Sequence, residues 1–382
     1  MGSLTDVSFL YWQAMQQNME PGVVITANNG SSLAPGDLSA IIAPAPNSNT
    51  TQIVNMDFGY HPGFKLGLGA NFDYDRWDAR GEYTWFHGSN FQSTNILNAS
   101  NNKRIAAMFL APGFVSVGAN NGGFLQMTEM WDLKMDLVDA TLGRWCFAGD
   151  KLALHPFFGA RGAWIRQNLL VTYTNPLSIG QPTNDRTVSF AFETSRSWGI
   201  GPSIGLDADW LLGYGMRFFG TASADLLYTW YTLHMDQEEF NNVPADVLND
   251  ILGVVGLRAD GLGHGSPATV TSSISDMKGL LYGAFDLGGP GSGGTFAQGL
   301  NTTQKRIAFL QPHAELELGF GWGSYFTDDR WHFDLSASYG FQVFWDQNMF
   351  RHFDDGFSQA SSTLSNGNLY VHGLTATVRF DY

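Results

Sequence analysis

Acidic and basic side chains stand at alternate positions of several apolar stretches in this 382-residue chain. The clearest examples, in chain order, are Arg161, Asp207, Arg217, Asp225, Glu315, Glu317 and Asp334. Their immediate neighbours are mostly apolar, as is Leu316 between the two glutamates. In a β-strand this alternation places the charged groups on one face and the apolar groups on the other. A charged face of this kind can line a water-filled passage and select ions by their charge.

The same strand phase places further titratable groups on the polar face. These are Lys65, Asp78, Arg80, Glu82, Asp132, Lys134, Asp136, Asp209, His313, His332 and Arg379. Acidic groups outnumber basic ones in the combined set, so a water-filled lumen lined by these groups would favour cations.

The alternative is that these charges neutralise one another and fill a narrow interior, because a lone charge in such a place needs a partner. Same-face neighbours that are suited to pairing are Asp78 with Arg80, Asp132 with Lys134, and Glu315 or Glu317 with His332. For individual residues the sequence favours this structural pairing over a transport role.

A catalytic site has weaker support. His234 and Asp236 stand two residues apart, as a general base and the group that orients it would. The phase of the surrounding strand, however, places both side chains on the outward face. Asp354 and Asp355 follow His352 in a long connection, where carboxylates are usually solvated. The nine histidines show no spacing of metal ligands. We therefore predict no catalytic residues, no metal and no cofactor.

The elements that carry the charged positions are long strands with aromatic ends. In Trp331–Asp346 almost every second residue is apolar or aromatic, and the segment is long enough to cross a bilayer when tilted. Strands of soluble sheets average about five or six residues, whereas these run to about twelve or more. No apolar run approaches the ~20 residues of a transmembrane helix. Charged residues make up only 14% of the chain and glycines number 45. This pattern predicts an all-β fold, a transmembrane antiparallel β-barrel.

The connections between strands fall into two classes. Short ones are expected at Asp73–Arg76, Ala148–Lys151, Gly213–Gly215 and Thr327–Arg330, and the others are long and rich in Asn, Ser, Gly and Pro. Short periplasmic turns and long extracellular loops are typical of outer-membrane barrels. About ten strands are predicted: Leu4–Asn18, Gln52–Phe72, Trp77–Gly88, Phe124–Phe147, Leu152–Thr174, Thr187–Leu212, Met216–Gln237, Lys305–Phe326, Trp331–Phe350 and Leu369–Tyr382. Residues 1–382 would form one barrel domain.

Three features stay open at this level. In the fourth strand Val138 and Asp139 break the alternation set by Trp131, Leu133, Met135 and Leu137, which indicates a β-bulge and places those four side chains on the lipid face. The connection Asn241–Thr303 is either an extracellular loop or a loop folded into the lumen, with a short helix near Pro244. Strands at Thr269–Ser275 and Gly279–Leu287 would raise the total to twelve. The single cysteine, Cys146, is expected to be packed as a small apolar side chain.

Several stretches resemble a known family. The most specific is Leu152–Gln167, with the order Pro-x-x-Gly-x-Arg-Gly-Ala-Trp, and other matches are Leu142–Arg144, Trp198–Leu206, Asp225–Tyr228, Gly81–Phe86, His372–Thr375 and Val378–Tyr382. They are similar to the pore-forming, major-outer-membrane-protein-like proteins of Legionella and chlamydia-like bacteria. The resemblance implies an outer-membrane β-barrel that passes small solutes. One cysteine instead of many argues against a disulfide-crosslinked envelope role.

These observations predict a porin in the bacterial outer membrane, for passive diffusion of small hydrophilic solutes or ions through a narrow lumen that mildly favours cations. Its pore-lining residues would be the seven positions named at the outset. The alternative is a non-conducting surface barrel that serves as an adhesin or a structural protein through its long loops. The expected partners are outer-membrane lipid and small solutes or ions. A formal charge of −15 argues against nucleic acid. The sequence leaves a homo-oligomer and the preferred solute open.

Overall fold

The computed structural model describes residues 2–26, 50–72, 76–96, 103–111, 124–175, 187–241, 243, 295–326, 331–353, 362–364 and 366–381. Sixteen strands lie in these ranges: β1 (Gly2–Gln16), β2 (Gly22–Thr26), β3 (Thr50–Val54), β4 (Tyr60–Asn71), β5 (Trp77–Asn95), β6 (Lys103–Ala107), β7 (Gln126–Arg144), β8 (Cys146–Phe147), β9 (Leu152–Asn175), β10 (Thr187–Gly213), β11 (Met216–Asn241), β12 (Thr295–Phe326), β13 (Trp331–Phe344), β14 (Arg351–Phe353), β15 (Ser362–Leu364) and β16 (Leu369–Asp381). Among the described residues, no helix is long and apolar enough to span a membrane.

Ten of these strands close into an antiparallel barrel. The order around the barrel is β1-β4-β5-β7-β9-β10-β11-β12-β13-β16, and β16 pairs with β1 to close the ring. The predicted fold class and strand number are therefore confirmed. Because β11 pairs directly with β12, two further strands cannot lie between them in the barrel wall. The predicted strands and the predicted helix within 241–303 lie outside the described residues.

The barrel has a turn end, where the short connections and both chain termini lie, and a loop end, where the long connections lie. On β10 the outward-facing Trp198 and Trp210 bound a band of exposed apolar side chains that includes Ile200, Ile204 and Leu206. Twelve residues at about 3.3 Å each, tilted by about 45°, span about 28 Å. That matches the apolar band of about 25 Å expected for a transmembrane barrel.

Towards the loop end the barrel extends beyond this band. β10 begins at Thr187, eleven residues before Trp198, and β9 and β11 continue to Asn175 and Asn241. Here a small sheet with the order β3-β2-β6 joins the barrel. Val24, Val54 and Ile105 of that sheet are buried in one cluster with side chains of the barrel wall.

The phase predicted for β7 is wrong. Trp131, Leu133, Met135 and Leu137 are at most 1% exposed and point into the barrel, whereas Lys134 is exposed on the outside. The expected bulge at Val138 and Asp139 is also wrong, because the register of β7 with β5 and β9 continues through this position without a shift. Once the phase is inverted, the outward Val138 and the inward Asp139 fit regular alternation. Asp132, Lys134 and Asp136 consequently lie on the outer side of the wall.

Cys146 differs from its prediction as well. Its side chain is exposed at the turn end, in the short strand β8 that pairs with β9. It is not packed as a small apolar group, because β8 continues the register of β7 along β9 and Cys146 lies on the outward face of the wall.

Candidate functional site in the barrel lumen

A cavity of about 230 Å³ lies in the barrel interior and extends from Leu4 and Asn71 at the turn end to Arg161 and Glu315. Its charged lining consists of Asp6, Lys65, Asp78, Arg80, Glu82, Asp139, His155, Arg161, Asp207, Asp209, Arg217, Glu315, Glu317, Asp334 and Arg379. We call these side chains, with the adjacent Asp225 and His313, the lumen network. Six of the seven residues predicted to line a pore border the cavity, and the seventh, Asp225, is fully buried beside it. Their role in transport stays a prediction.

Arg161 is the centre of the network. Its neighbours across the sheet are Asp139 on β7 and Gly201 on β10, so a carboxylate stands on one side and no side chain on the other. Its Nε donates to Asp139 Oδ1 at 2.5 Å, its Nη1 to Asp225 Oδ2 at 3.0 Å, and its Nη2 to Glu315 Oε2 at 3.2 Å. The guanidinium thereby joins strands β7, β9, β11 and β12 across the lumen. Its fixed fork of donors suits such multiple pairing.

A second chain of ion pairs crosses from β12 to β1. Lys65 Nζ on β4 lies 3.5 Å from Glu315 Oε1 and 3.3 Å from Glu82 Oε1. Glu82 Oε2 in turn accepts from Arg80 Nη2 at 2.9 Å, and the same nitrogen donates to Asp6 Oδ2 at 3.0 Å. Glu315 connects this chain to Arg161, so the network bridges the interior in two directions. Solutes that cross the barrel at this level must pass between charged groups.

Near the turn end the network is more open to water. His155 lies between two carboxylates, with Nε2 at 2.8 Å from Asp78 Oδ1 and Nδ1 at 2.9 Å from Asp207 Oδ2. Arg217 donates through Nη2 to Asp334 Oδ1 at 2.9 Å. Its side chain is 21% exposed, against 8% for Arg161. The polarity and exposure of this end fit an entrance to the cavity.

The observed pairs differ from those predicted between same-face neighbours. Asp78 contacts His155 instead of Arg80, Glu315 contacts Arg161 and Lys65, and His332 contacts Asp381 at 2.9 Å. Asp78 and Glu315 reach partners on strands that are not their neighbours, whereas His332 fails to meet Glu317 because the register places it opposite Tyr325 and Asp381. The sequence reasoning missed Asp6, Asp139 and His155 as members of the network. Alternation could have found Asp6, which shares a phase with the buried Leu4 and Leu10, and His155, which shares a phase with Arg161, but it could not have found Asp139.

On the loop side of the network the interior is mostly apolar, with a few buried acidic and amide side chains such as Glu129, Glu193 and Gln167 among the apolar ones. Buried aromatic and aliphatic side chains from the barrel wall pack here against side chains from the connecting segments. We call the following set the apolar plug: Leu10, Trp12, Met19, Val24, Val54, Met56, Phe86, Ile105, Phe109, Leu110, Phe124, Met127, Trp131, Leu133, Met135, Leu137, Ile165, Leu169, Val171, Tyr173, Leu227, Phe344, Phe350, Phe353, Leu369 and Val371. Close packing of these side chains leaves little room for water among them.

Hydrogen bonds fix the segment at 108–111 inside the plug. Gln237 on β11 donates to the Phe109 carbonyl at 2.6 Å and accepts from the Ala111 amide at 2.8 Å. Tyr173 on β9 donates to the Pro21 carbonyl at 2.5 Å, which ties a second connecting segment to the wall. The plug is therefore attached by polar side chains that point inward between its apolar members.

His234 and Asp236 form a pair, but they lie on the outer side of β11. His234 Nε2 is 2.9 Å from Asp236 Oδ2, and His234 Nδ1 is 2.9 Å from the Thr303 hydroxyl. The pair is separated from the cavity by the barrel wall, as the strand phase predicted. Within the described residues no group of three His, Cys, Asp or Glu side chains could hold a metal ion.

Solved structures with related folds include several outer-membrane barrels. The outer membrane protease OmpT from Escherichia coli is 9% identical over 100% of this chain and 96% of its own, with a TM-score of 0.35. A Pseudomonas aeruginosa FadL homologue is 7% identical over 100% and 90%, with a TM-score of 0.26. The toluene transporter TodX of P. putida is 8% identical over 100% and 89%, with a TM-score of 0.22. Scores this low carry no argument about activity. No curated protein matches the sequence.

The sequence itself identifies the family. Residues 5–255 match the family described as Legionella pneumophila major outer membrane protein precursor. The match contains the Leu152–Gln167 block and the other motifs before Tyr228, whereas the resemblance noted at His372–Thr375 and Val378–Tyr382 lies beyond it. It covers well over half of the chain and agrees with the closed barrel and its apolar outer band. The protein is a β-barrel of the bacterial outer membrane and belongs to the Legionella major outer membrane protein family.

Proposed function

We propose that this outer membrane protein is a narrow pore that passes small hydrophilic solutes and ions and prefers cations. The observation that carries the proposal is the charge of the lumen cavity. Nine carboxylates line it against five lysine and arginine side chains, which leaves an excess of four negative charges with His155 neutral. A low-dielectric wall strengthens the field of that excess, so cations are enriched in the cavity and anions are depleted.

The energetic cost of these charges supports a transport role. Buried ion pairs are often replaced by apolar side chains of similar volume with no loss of stability, or with a gain. If the lumen only had to be filled, apolar side chains such as leucine and phenylalanine would be enough, as they are in the plug. Here the charged network lies within the lipid-facing band, whereas the interior on the loop side is mostly apolar with a few buried acidic and amide side chains. A polar, hydrated cavity at the level of the bilayer is the part of a pore that an ion must cross.

The size of the barrel limits what can pass. About eight strands leave an interior that side chains fill, and 16–18 leave an open channel, so ten strands give a narrow passage. In the described arrangement the apolar plug closes this passage towards the loop end. Apolar constrictions block ions by excluding water. Conduction therefore requires part of the plug to move, and we expect brief openings of small conductance. The proposal includes no catalytic activity.

The test is the single-channel conductance of the folded protein in a planar bilayer under a salt gradient. The double variant Glu315→Gln/Glu317→Gln removes two of the four excess charges, so its reversal potential should shift towards zero. The control is Asp136→Asn, which removes a carboxylate from the outer side of the same barrel and should leave the potential unchanged. Unchanged selectivity in the double variant would contradict a cation-selecting lumen.

The apolar plug favours a second candidate function, a non-conducting surface barrel that acts through its long loops. An experiment that loosens the plug distinguishes the pore from the non-conducting barrel. Gln237→Leu removes both hydrogen bonds that the Gln237 side chain makes with the segment at 108–111, while it retains a side chain of similar size. A pore with a movable plug should then open more often than the wild type. If the wild type and this variant are both folded, inserted and silent, the non-conducting function is favoured and the pore is excluded.

A further inference from the structure

Three basic side chains form a continuous row on the outer side of the barrel. Lys134 on β7 is directly opposite Arg166 on β9, and Arg166 is directly opposite Arg196 on β10. All three side chains are exposed. Neighbouring strands are about 4.8 Å apart, so the row places three positive charges within about 10 Å along the hydrogen-bonding direction.

The row lies immediately beyond the aromatic belt of the lipid-facing band. Trp164 precedes Arg166 by two residues and Trp198 follows Arg196 by two, so on these antiparallel strands both tryptophans share the outward face one position closer to the membrane. Trp198 is directly opposite both Trp164 and Trp230, and its ring stacks on that of Trp230 with centroids 4.1 Å apart. Tryptophan belts mark the level of the lipid headgroups. The basic row is consequently at headgroup height, on the side of the barrel where the long loops lie.

Like charges directly opposite each other in a sheet destabilise it unless an anion lies between them. In the described part of the chain none of the three side chains has an ion pair or a side-chain hydrogen bond. Asp132 and Asp136 flank Lys134 on its own strand and accept hydrogen bonds from Ser89 at 2.6 Å and Tyr83 at 2.7 Å, and among the described residues neither carboxylate forms an ion pair with Lys134. The neighbours of the two arginines on their own strands and on the same face are Trp164, Asn168, Thr194 and Trp198, none of which is charged. The row is thus complementary to an anion supplied from outside the chain.

We propose that Lys134, Arg166 and Arg196 bind the phosphate groups of lipid headgroups in the outer leaflet of the outer membrane, that is, the phosphorylated sugar headgroup of lipopolysaccharide. Arginine donates two parallel hydrogen bonds to a phosphate, and lysine adds a mobile charge. The tryptophans below the row contact the acyl chains of the same lipid. This site is on the opposite side of the wall from the lumen network, so it is independent of pore activity.

The test compares lipid binding to the intact folded barrel in detergent, measured by native mass spectrometry during titration with lipid A that carries both phosphates. The variant Lys134→Gln/Arg166→Gln/Arg196→Gln should bind lipid A roughly a hundredfold more weakly than the wild type. Each basic residue near a charged lipid surface contributes about fivefold to the affinity, and three are removed. The control variant Arg76→Gln/Arg144→Gln/Lys151→Gln removes the same number of exposed charges at the turn end and should bind like the wild type. All substituted positions are exposed, so both variants should retain the unfolding midpoint of the wild type.

Two further measurements fix the chemistry of the ligand. Lipid A from which the phosphates have been removed should bind to the wild type as weakly as the phosphorylated form binds to the triple variant. Inorganic phosphate should not displace the phosphorylated lipid, because the tryptophans contribute only when acyl chains are present. Equal binding by wild type and triple variant, equal binding of dephosphorylated lipid, or displacement by free phosphate would each overturn the assignment to a lipid headgroup.

Discussion

Replacing Arg161 with methionine tests whether the lumen network holds the barrel together. One guanidinium joins Asp139, Asp225 and Glu315, which belong to three different strands, and its side chain is only 8% exposed. Methionine keeps an unbranched stem of similar length, so the loss of packing is small. The variant therefore reports mainly on the three carboxylates that lose their counter-charge.

The size of the effect follows from the burial of those carboxylates. Removing one partner of a buried ion pair costs about 3–5 kcal/mol, because the remaining charge is left in a medium of low polarity. The Asp225 and Glu315 side chains are 0% and 8% exposed, but Glu315 keeps Lys65 and the cavity admits water on one side. We therefore expect the lower end, a loss of about 3 kcal/mol in the free energy of unfolding. Adding Asp139→Asn to the variant should recover part of it, because one stranded charge is removed.

The measurement is equilibrium unfolding by urea in lipid vesicles, followed by tryptophan fluorescence. Arg379→Met is the matched control, since Arg379 and its partner Asp381 at the turn end are 30% and 23% exposed. Its loss should be about 1 kcal/mol, because water compensates charges that are partly exposed. If Arg161→Met stays within about 1 kcal/mol of the wild type, or if both variants lose the same amount, the network contributes nothing special at Arg161 and the reasoning is refuted.

Two further predictions concern the wall of the barrel. Gly201→Ala should lower the free energy of unfolding in urea by about 1–3 kcal/mol, because the added Cβ would lie 2.0 Å from the Leu226 carbonyl oxygen. Gly81→Ala should be almost neutral, since the nearest atom to its added Cβ is 3.9 Å away. Equal losses would show that the strands can separate to admit a methyl group. Cys146 should react with a maleimide on a large polyethylene glycol only after cells are permeabilised, because it is exposed at the turn end. Labelling of intact cells would reverse the assigned orientation.

The sequence predicted the barrel well because each wall strand has one face towards lipid and one towards the interior. Period-two alternation over long segments identified all ten strands, and most boundaries agree within a few residues. The largest differences are at β4, which begins at Tyr60 instead of Gln52, and at β12, which begins ten residues before Lys305. Both lie at the loop end, where the strands leave the lipid band and their alternation loses its apolar side.

The phase of β7 could not be predicted from the alternation alone. Trp131, Leu133, Met135 and Leu137 look like lipid-facing residues, but in this barrel they face the apolar plug. An apolar interior and an apolar exterior impose the same periodicity on a strand, so the pattern does not say which face is which. Asp139 contained the missing information. Its place in the lumen network requires the inverted phase, and the apparent irregularity at Val138 was a sign of that inversion.

The ion pairs of the lumen could not be predicted for a different reason. Neighbours on one strand are fixed by sequence, and neighbours on adjacent strands by register, but Arg161 and Glu315 meet across the interior. Such contacts depend on the diameter of the barrel and on the stagger of distant strands. The sequence therefore predicted which residues face inward on most strands, and it predicted the wrong partners for Asp78, Glu315 and His332.

Two connecting segments of the plug, at 108–111 and 347–350, are held unequally. In the proposed pore this difference decides which of them moves first. At 347–350, Gln347 hydrogen-bonds to Gln311, Tyr231 and Ser197 of the wall, and Asn348 donates to the Gln17 and Asn18 carbonyls.

By contrast, the segment at 108–111 is joined to the wall side chains mainly through Gln237, with a longer contact of 3.4 Å from the Phe109 amide to Tyr173. Met108 also donates to the Pro21 carbonyl at 3.1 Å and accepts from the Phe353 amide at 3.0 Å. Each such bond contributes on the order of 1 kcal/mol. The segment at 108–111 should therefore leave the lumen first, while Gln347 keeps the other segment against the wall. In the proposed pore, movement of Phe109 and Leu110 alone would remove apolar side chains from the centre of the plug and would leave the lumen network intact.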